Sequence, residues 1–195
     1  MKELYLHVGL PRCASTFLQT KIFPYLNLHY VHRKEHINYK MDHIKYLKKV
    51  FKKSKVDVLY SSETILGLPE IVEDPVDTLK KYSVAFPDAN IIIIKRDRAT
   101  WLKSMYYRYM HREGYIDFNN YYDNILDHKL LNVDHHISRS RSLFNGRVTY
   151  IDFEDLQTDH KFFIGQICEF MRVQIPYYKN KKINANNYNI RGKIK

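Results

Sequence analysis

The chain has 195 residues, 45% of them hydrophobic, and no Pro/Gly/Ser-rich linker divides it, so a single domain over 1–195 is expected, with a loop-rich tail from about residue 176. Thirty-two lysines and arginines against 21 acidic residues leave a net charge of +11, which requires an anionic partner but does not choose between nucleic acid, acidic polysaccharide, a membrane surface and a charged cofactor. Two cysteines, Cys13 and Cys168, exclude a disulfide framework. No segment is long enough to span a bilayer, and the first residues run into apparent core strand without a signal-peptide pattern, so the cytoplasm is the expected compartment.

The first element is a short apolar strand, Leu4 to Val8, closed by Gly9. From Ser15 to Leu26, the residues Phe17, Leu18, Ile22 and Leu26 fall at helical spacing. Tyr30 to His32 reads as a second strand. The stretch "MDHIKYLKKVFKKSK" is an amphipathic helix with Ile44, Leu47, Val50 and Phe51 on one face and lysines on the other. "VDVLYSS" is the next strand, and "DPVDTLKKYSVAF" opens a helix at Asp74 before Pro75. "NIIIIK", Asn90 to Lys95, is an unbroken apolar run suited to a strand covered on both faces. Asp97 or Thr100 then caps a helix to about Arg112.

"DFNNYYDNILDHKLL" reads as helix, "RVTYIDF" as strand, and a long helix follows from about Asp159 to Met171. Strands alternating with helices predict an α/β three-layer sandwich: a central, mainly parallel sheet flanked by helices, as in P-loop nucleotide triphosphatases. In such sheets ligands bind beyond the carboxyl ends of the strands.

The loop "HVGLPRCASTFLQ" lies at that position. Aligned on Gly9, it departs from the triphosphate pattern G-x-x-x-x-G-K-[ST], because Ala14 and Ser15 replace the second glycine and the lysine. What remains is a helix amino terminus, the hydroxyls of Ser15 and Thr16 and the guanidinium of Arg12, a set suited to one phosphate or sulfate group. Cys13 as a phosphatase-type nucleophile fails on spacing, since Cys-x5-Arg would need arginine where Gln19 stands.

The same loop resembles the 5′-phosphosulfate loop of the sulfotransferases that use 3′-phosphoadenosine 5′-phosphosulfate. "IIIIKRDRATWLKSMYYRYM" is similar to that family's 3′-phosphate motif, in which an arginine ends a strand and a serine follows eight positions later; Arg96 and Ser104 have that spacing. "VTYIDFEDLQTDHKFFIGQICEFMRV" resembles the family's late strand and helix. "IRGKIK" stands where a carboxyl-terminal loop would close on the 3′-phosphate.

The resemblance implies in-line attack of an acceptor hydroxyl or amine on sulfur, with the nucleotide 5′-phosphate leaving and no metal. It makes Arg12 and Glu63 the catalytic pair, Arg12 stabilising the leaving side and Glu63, after the "VDVLYSS" strand, acting as base, with His7, His32 or His36 as the fallback. The donor would be held by Arg12, Cys13, Ala14, Ser15, Thr16, Phe17, Arg96, Ser104, Arg191, Gly192 and Lys193. Ala14 departs from the family's glycine. Phe17 is either an adenine-stacking ring or a core residue. Phe153 stands where some relatives place an adenine-contacting tyrosine. Trp101 is expected to pack rather than to react, and His135 and His136 lack partners for a metal site.

Two other readings remain open. A small P-loop kinase or nucleotide hydrolase is disfavoured by the missing lysine. A basic nucleic-acid module would account for the charge, for "HHISRSRSLFNGR" and for 17 tyrosines, but not for the spacing of Arg96 and Ser104, so no nucleic acid is expected. The acceptor pocket would come from Tyr30 to Lys40, Gly67 to Asp77 and Gly114 to Arg141. Their Tyr, Asn, Lys and His content suits a polar or acidic glycan better than an apolar molecule, and the short chain leaves either an open acceptor site or one completed by a second copy.

Overall fold

The computed structural model describes residues 2–35, 42–67, 69–70 and 77–177. Its five strands are β1 (Leu4–His7), β2 (His29–His32), β3 (Val58–Ser61), β4 (Asn90–Lys95) and β5 (Val148–Asp152). They form one parallel sheet in the order β2-β3-β1-β4-β5. The three inner strands bury nearly every residue, as a parallel sheet covered on both faces requires, whereas the edge strands β2 and β5 are only partly buried. This is the α/β three-layer sandwich expected from the alternating pattern.

The helix expected over Ser15 to Leu26 is not regular. One α turn, α1 (Ser15–Phe17), widens into a π turn over Leu18–Ile22 and tightens into a 3₁₀ turn over Phe23–Tyr25. The buried pairs Phe17/Leu18 and Ile22/Phe23 repeat every five residues, the hydrogen-bond spacing of a π turn, and Pro24 has no N–H with which to continue the ladder. Helix α2 (His43–Lys53) is capped by Asp42, which accepts from Ile44 N and Lys45 N, both at 3.0 Å. Asp77 caps α3 (Thr78–Ala85); the start expected at Asp74 lies outside the described residues.

Helix α4 (Arg98–Glu113) is capped by Asp97, which accepts from Thr100 N at 3.0 Å. Between the strands β4 and β5, "DFNNYYDNILDHKLL" divides into α5 (Phe118–Asn124) and a separate 3₁₀ turn over His128–Leu131, because Asp127 starts a new cap on Lys129 N. Helix α6 (Val133–Leu143) was not legible in the sequence: its buried face is His136, Ile137 and Ser140, so polar residues mask the apolar period. After β5 come α7 (Phe153–Thr158) and α8 (His160–Met171), the latter capped by Asp159 as its sequence suggests. No described helix is long and apolar enough to cross a membrane.

Candidate active site

The loop between β1 and α1 continues the sheet before it turns. Val8 N donates to Ile92 O at 3.1 Å, and Ile94 N donates to Gly9 O at 3.0 Å. Gly9 has φ 126°, and a Cβ there would stand 3.1 Å from the carbonyl oxygen of Glu63, so glycine lets this loop lie against the turn that follows β3. Arg12 and Ala14 both adopt left-handed φ, 65° and 60°, a conformation uncommon for residues with a Cβ. Ala14 thus takes the conformation that a glycine would adopt more readily.

Beneath the loop, α4 supplies a row of contacts set by its cap. Counting from Asp97, Trp101 and Ser104 lie one and two turns into the helix, on one face. Trp101 is fully buried and its Nε1–H donates to Pro11 O at 2.8 Å. Ser104 Oγ accepts from Arg12 Nε at 3.2 Å, and Arg96 Nη1 donates to Arg12 O at 3.0 Å. The two sequence motifs, more than eighty residues apart, therefore meet at one arginine. Trp101 emerges as a positioning residue for the loop; its place three residues before Ser104 on the same helix face was the signal that could have shown it.

Arg96 is itself confined. Its guanidinium lies 4.4 Å from the centre of the Phe153 ring, and burial lowers its pKa, partly opposed by the nearby Cys13 and Glu154. Although buried, its Nε has no hydrogen-bond partner among the described residues, and the same holds for Ser15 Oγ at the start of α1. Such orphaned polar atoms are costly unless a ligand completes them. Phe153 presents its ring to Arg96. Phe17 is buried and contacts His160 edge-on, with ring centroids 6.4 Å apart.

The thiol of Cys13 points inward: it is fully buried, lies 3.6 Å from Pro11 O, and burial raises its pKa. A thiol buried in this way, with its pKa raised, is not placed to act as a nucleophile. Thr16 is exposed. Arg191, Gly192 and Lys193 lie outside the described residues, as does His36.

The histidines considered as fallback bases are tied into the fold. His7 is fully buried, its Nδ1 2.8 Å from Ser61 Oγ, and burial pushes its pKa down to about 4. Gln19 Nε2 donates to the same Ser61 Oγ at 2.9 Å. His32 Nδ1 accepts from Lys34 N at 3.1 Å, which leaves its Nε2–H to donate to Gln19 Oε1 at 3.3 Å. Burial lowers the His32 pKa as well. These polar residues come from β1, β2, β3 and the π turn, and no sequence pattern marks them as a group. Glu63 stands on the turn after β3, partly exposed, with no ion pair to any described residue.

A known family matches the later part of this sequence. The model of a sulfotransferase family matches residues 71–177, over half of the chain. The chain belongs to the sulfotransferase family. The matched stretch contains Arg96 and Ser104 but starts after Arg12 and Glu63. Among solved structures, the sulfotransferase from Alicyclobacillus acidocaldarius is 16% identical with a TM-score of 0.62, over 94% of this chain and 87% of that one. The sulfotransferase domain from the curacin biosynthetic pathway is 15% identical with a TM-score of 0.55, over 90% of this chain and 75% of that domain. No curated protein sequence matches the chain significantly. Likeness at these identities establishes a shared fold, and the family model establishes the class of enzyme.

Proposed function

We propose that this sulfotransferase moves the sulfuryl group of 3′-phosphoadenosine 5′-phosphosulfate to a hydroxyl or amine of an acceptor. The observation that carries this reading is the convergence at Arg12: Ser104 accepts from its side chain while Arg96 bonds its carbonyl, so the 5′ and 3′ halves of a donor site share one scaffold. The residues present fit such a donor. Ser15 Oγ and Arg96 Nε are buried without partners, and both are groups that bind phosphate or sulfate oxygens.

In this reading Arg12 and the loop backbone from Cys13 to Thr16 hold the 5′-phosphosulfate. Arg96 and Ser104 hold the 3′-phosphate, with Phe17 and the carboxyl-terminal Arg191, Gly192 and Lys193 as further contacts. The bound donor supplies the sulfuryl group. Arg12, anchored through Nε, presents its remaining guanidinium donors to the charge that develops on the departing phosphate oxygen. Arginine stays protonated, so its role is electrostatic. Glu63 takes the acceptor's proton as the new oxygen–sulfur bond forms and the bond to the 5′-phosphate oxygen breaks. With His7 and His32 both tied into the buried hydrogen-bond network, Glu63 is the base that this geometry favours.

Transfer of labelled sulfate from the donor to a panel of glycans, tyrosyl peptides, phenols and lipids tests the reaction. On any acceptor that turns over, Glu63→Gln should lower kcat by about 10²–10⁴-fold. A fully active Glu63→Gln enzyme would remove Glu63 from the base role.

A further inference from the structure

The segment from His7 to Gln19, which contains the Arg12 loop, is bonded at both of its ends to residues that flank Glu63. At its start, His7 O accepts from Ser62 N at 2.9 Å, and Gly9 lies so close to Glu63 that a Cβ there would stand 3.1 Å from the Glu63 carbonyl oxygen. At its far end, Gln19 reaches from the π turn to two strand ends. Its Nε2 donates to Ser61 Oγ at 2.9 Å, on the last residue of β3, and its Oε1 accepts from His32 Nε2 at 3.3 Å, on the last residue of β2. Ser61 Oγ also pairs with His7 Nδ1 at 2.8 Å, so one hydroxyl ties both ends of the segment to β3.

These bonds are sheltered: Ser61 and His7 are fully buried and Gln19 is partly buried, which strengthens each bond and makes its loss costly. The orientation of the Gln19 amide follows from its neighbour. His32 Nδ1 accepts from Lys34 N at 3.1 Å, so His32 Nε2–H donates to the amide oxygen and the amide nitrogen is left for Ser61. Gln19 belongs to the π turn Leu18–Ile22, a helix irregularity of the kind that recurs at functional sites. The turn that carries Glu63 is closed only locally, by Ile65 N donating to Ser62 O at 3.5 Å and Gly67 N to Thr64 O at 3.2 Å. What ties it to the Arg12 loop is the His7–Ser62 bond, the close approach of Gly9 and the Gln19–Ser61 bond.

We propose that Gln19 is a positioning residue: it holds the Glu63 turn in register with the Arg12 loop, so that a nucleotide ordering the loop also orders the turn that bears the base. This rests on the sulfuryl-transfer reading, in which Glu63 is that base. A misplacement of about 1 Å can cost on the order of 100-fold in rate, so a bond that acts only on alignment is felt in kcat.

Two measurements on the full chain test this. In amide hydrogen exchange, adenosine 3′,5′-bisphosphate should slow exchange at Ser62, Ile65 and Gly67 by about ten-fold in the unaltered protein, and by much less in Gln19→Met, which keeps the side chain's length but loses both bonds. In sulfuryl transfer to any acceptor that turns over, Gln19→Met should lower kcat by about 10- to 100-fold with no loss of bisphosphate affinity, and should add no further loss in a Glu63→Gln background. Ser61→Ala removes the same bond from the other side and should reproduce both patterns if Gln19→Met does not fold. Unchanged protection, unchanged kcat, or an equal fold-loss in both backgrounds overturns the proposal while the donor reading stands. Failure of the bisphosphate to bind strikes the donor reading instead; where it binds, the exchange pattern decides the proposal even if no acceptor turns over.

Discussion

The two sides of the strand ends treat their charges in opposite ways. On the β1/β4 side, Arg12 and Arg96 are held by protein: one is anchored on Ser104, the other bonds the Arg12 carbonyl and stacks on Phe153, and Trp101 fixes Pro11 from below. On the β2/β3 side, Arg33, Lys34 and Glu63 have no ion-pair partners among the described residues, although the backbone beneath them is well bonded. The first side is ordered by its own contacts, as the proposed donor site would require; the second has no ion-pair anchoring of its charges among the described residues. Preorganisation of this kind reduces what binding must spend on ordering side chains.

Variants that break this contrast should differ in which kinetic constant they change. On the β1/β4 side the largest effect is expected for Arg12→Ala, a loop substitution that should lower kcat by about 10²–10³-fold with little change in Tm, since it removes a donor aimed at developing charge. An active Arg12→Ala enzyme would remove Arg12 from the chemistry. Arg96→Ala should weaken adenosine 3′,5′-bisphosphate binding by about 10- to 100-fold, the worth of a charged hydrogen bond, and slow the bound-state reaction less. Steady-state and single-turnover rates separate the two.

A pH effect on stability follows from His7. Its folded pKa of about 4 lies below the ordinary value of 6.5, so the unfolded chain takes up a proton first as the solution acidifies. Stability from this group is therefore complete above about pH 6.5 and is lost as pH falls toward 4, on the order of 3 kcal/mol in all. Thermal melts between pH 7 and 4.5 should show that decline, and His7→Gln should flatten it. Identical pH slopes in the two proteins would contradict the assignment. Smallest is Trp101→Phe, which keeps the ring's bulk but leaves the Pro11 carbonyl only the weak thiol donor of Cys13; a loss of about 1 kcal/mol in stability is expected, with a modest rise in KM for the donor.

The legibility of the molecule in its sequence follows the same division. The sheet could be read because its inner strands are continuous apolar runs such as "NIIIIK", and the cap at Asp97 because a side-chain oxygen must meet free N–H groups there. The Arg12 loop and the Arg96/Ser104 pair were visible through their resemblance to the motifs of a family. Spacing alone could not show that they touch, because that contact depends on how α4 lies beneath the loop. Helix α6 stayed hidden behind its polar face, and the π turn behind the assumption of a regular period. The network of His7, Ser61, Gln19 and His32 had no linear signature, since residues from separate elements form it.

The central claim is that both arginine motifs serve one donor nucleotide, and calorimetry tests it most directly. Titration of adenosine 3′,5′-bisphosphate should show a single site per chain, with adenosine 5′-monophosphate at least about ten-fold weaker and that gap closing in Arg96→Ala. Equal affinity for the two nucleotides in the unaltered protein, or no binding of either, would contradict the account.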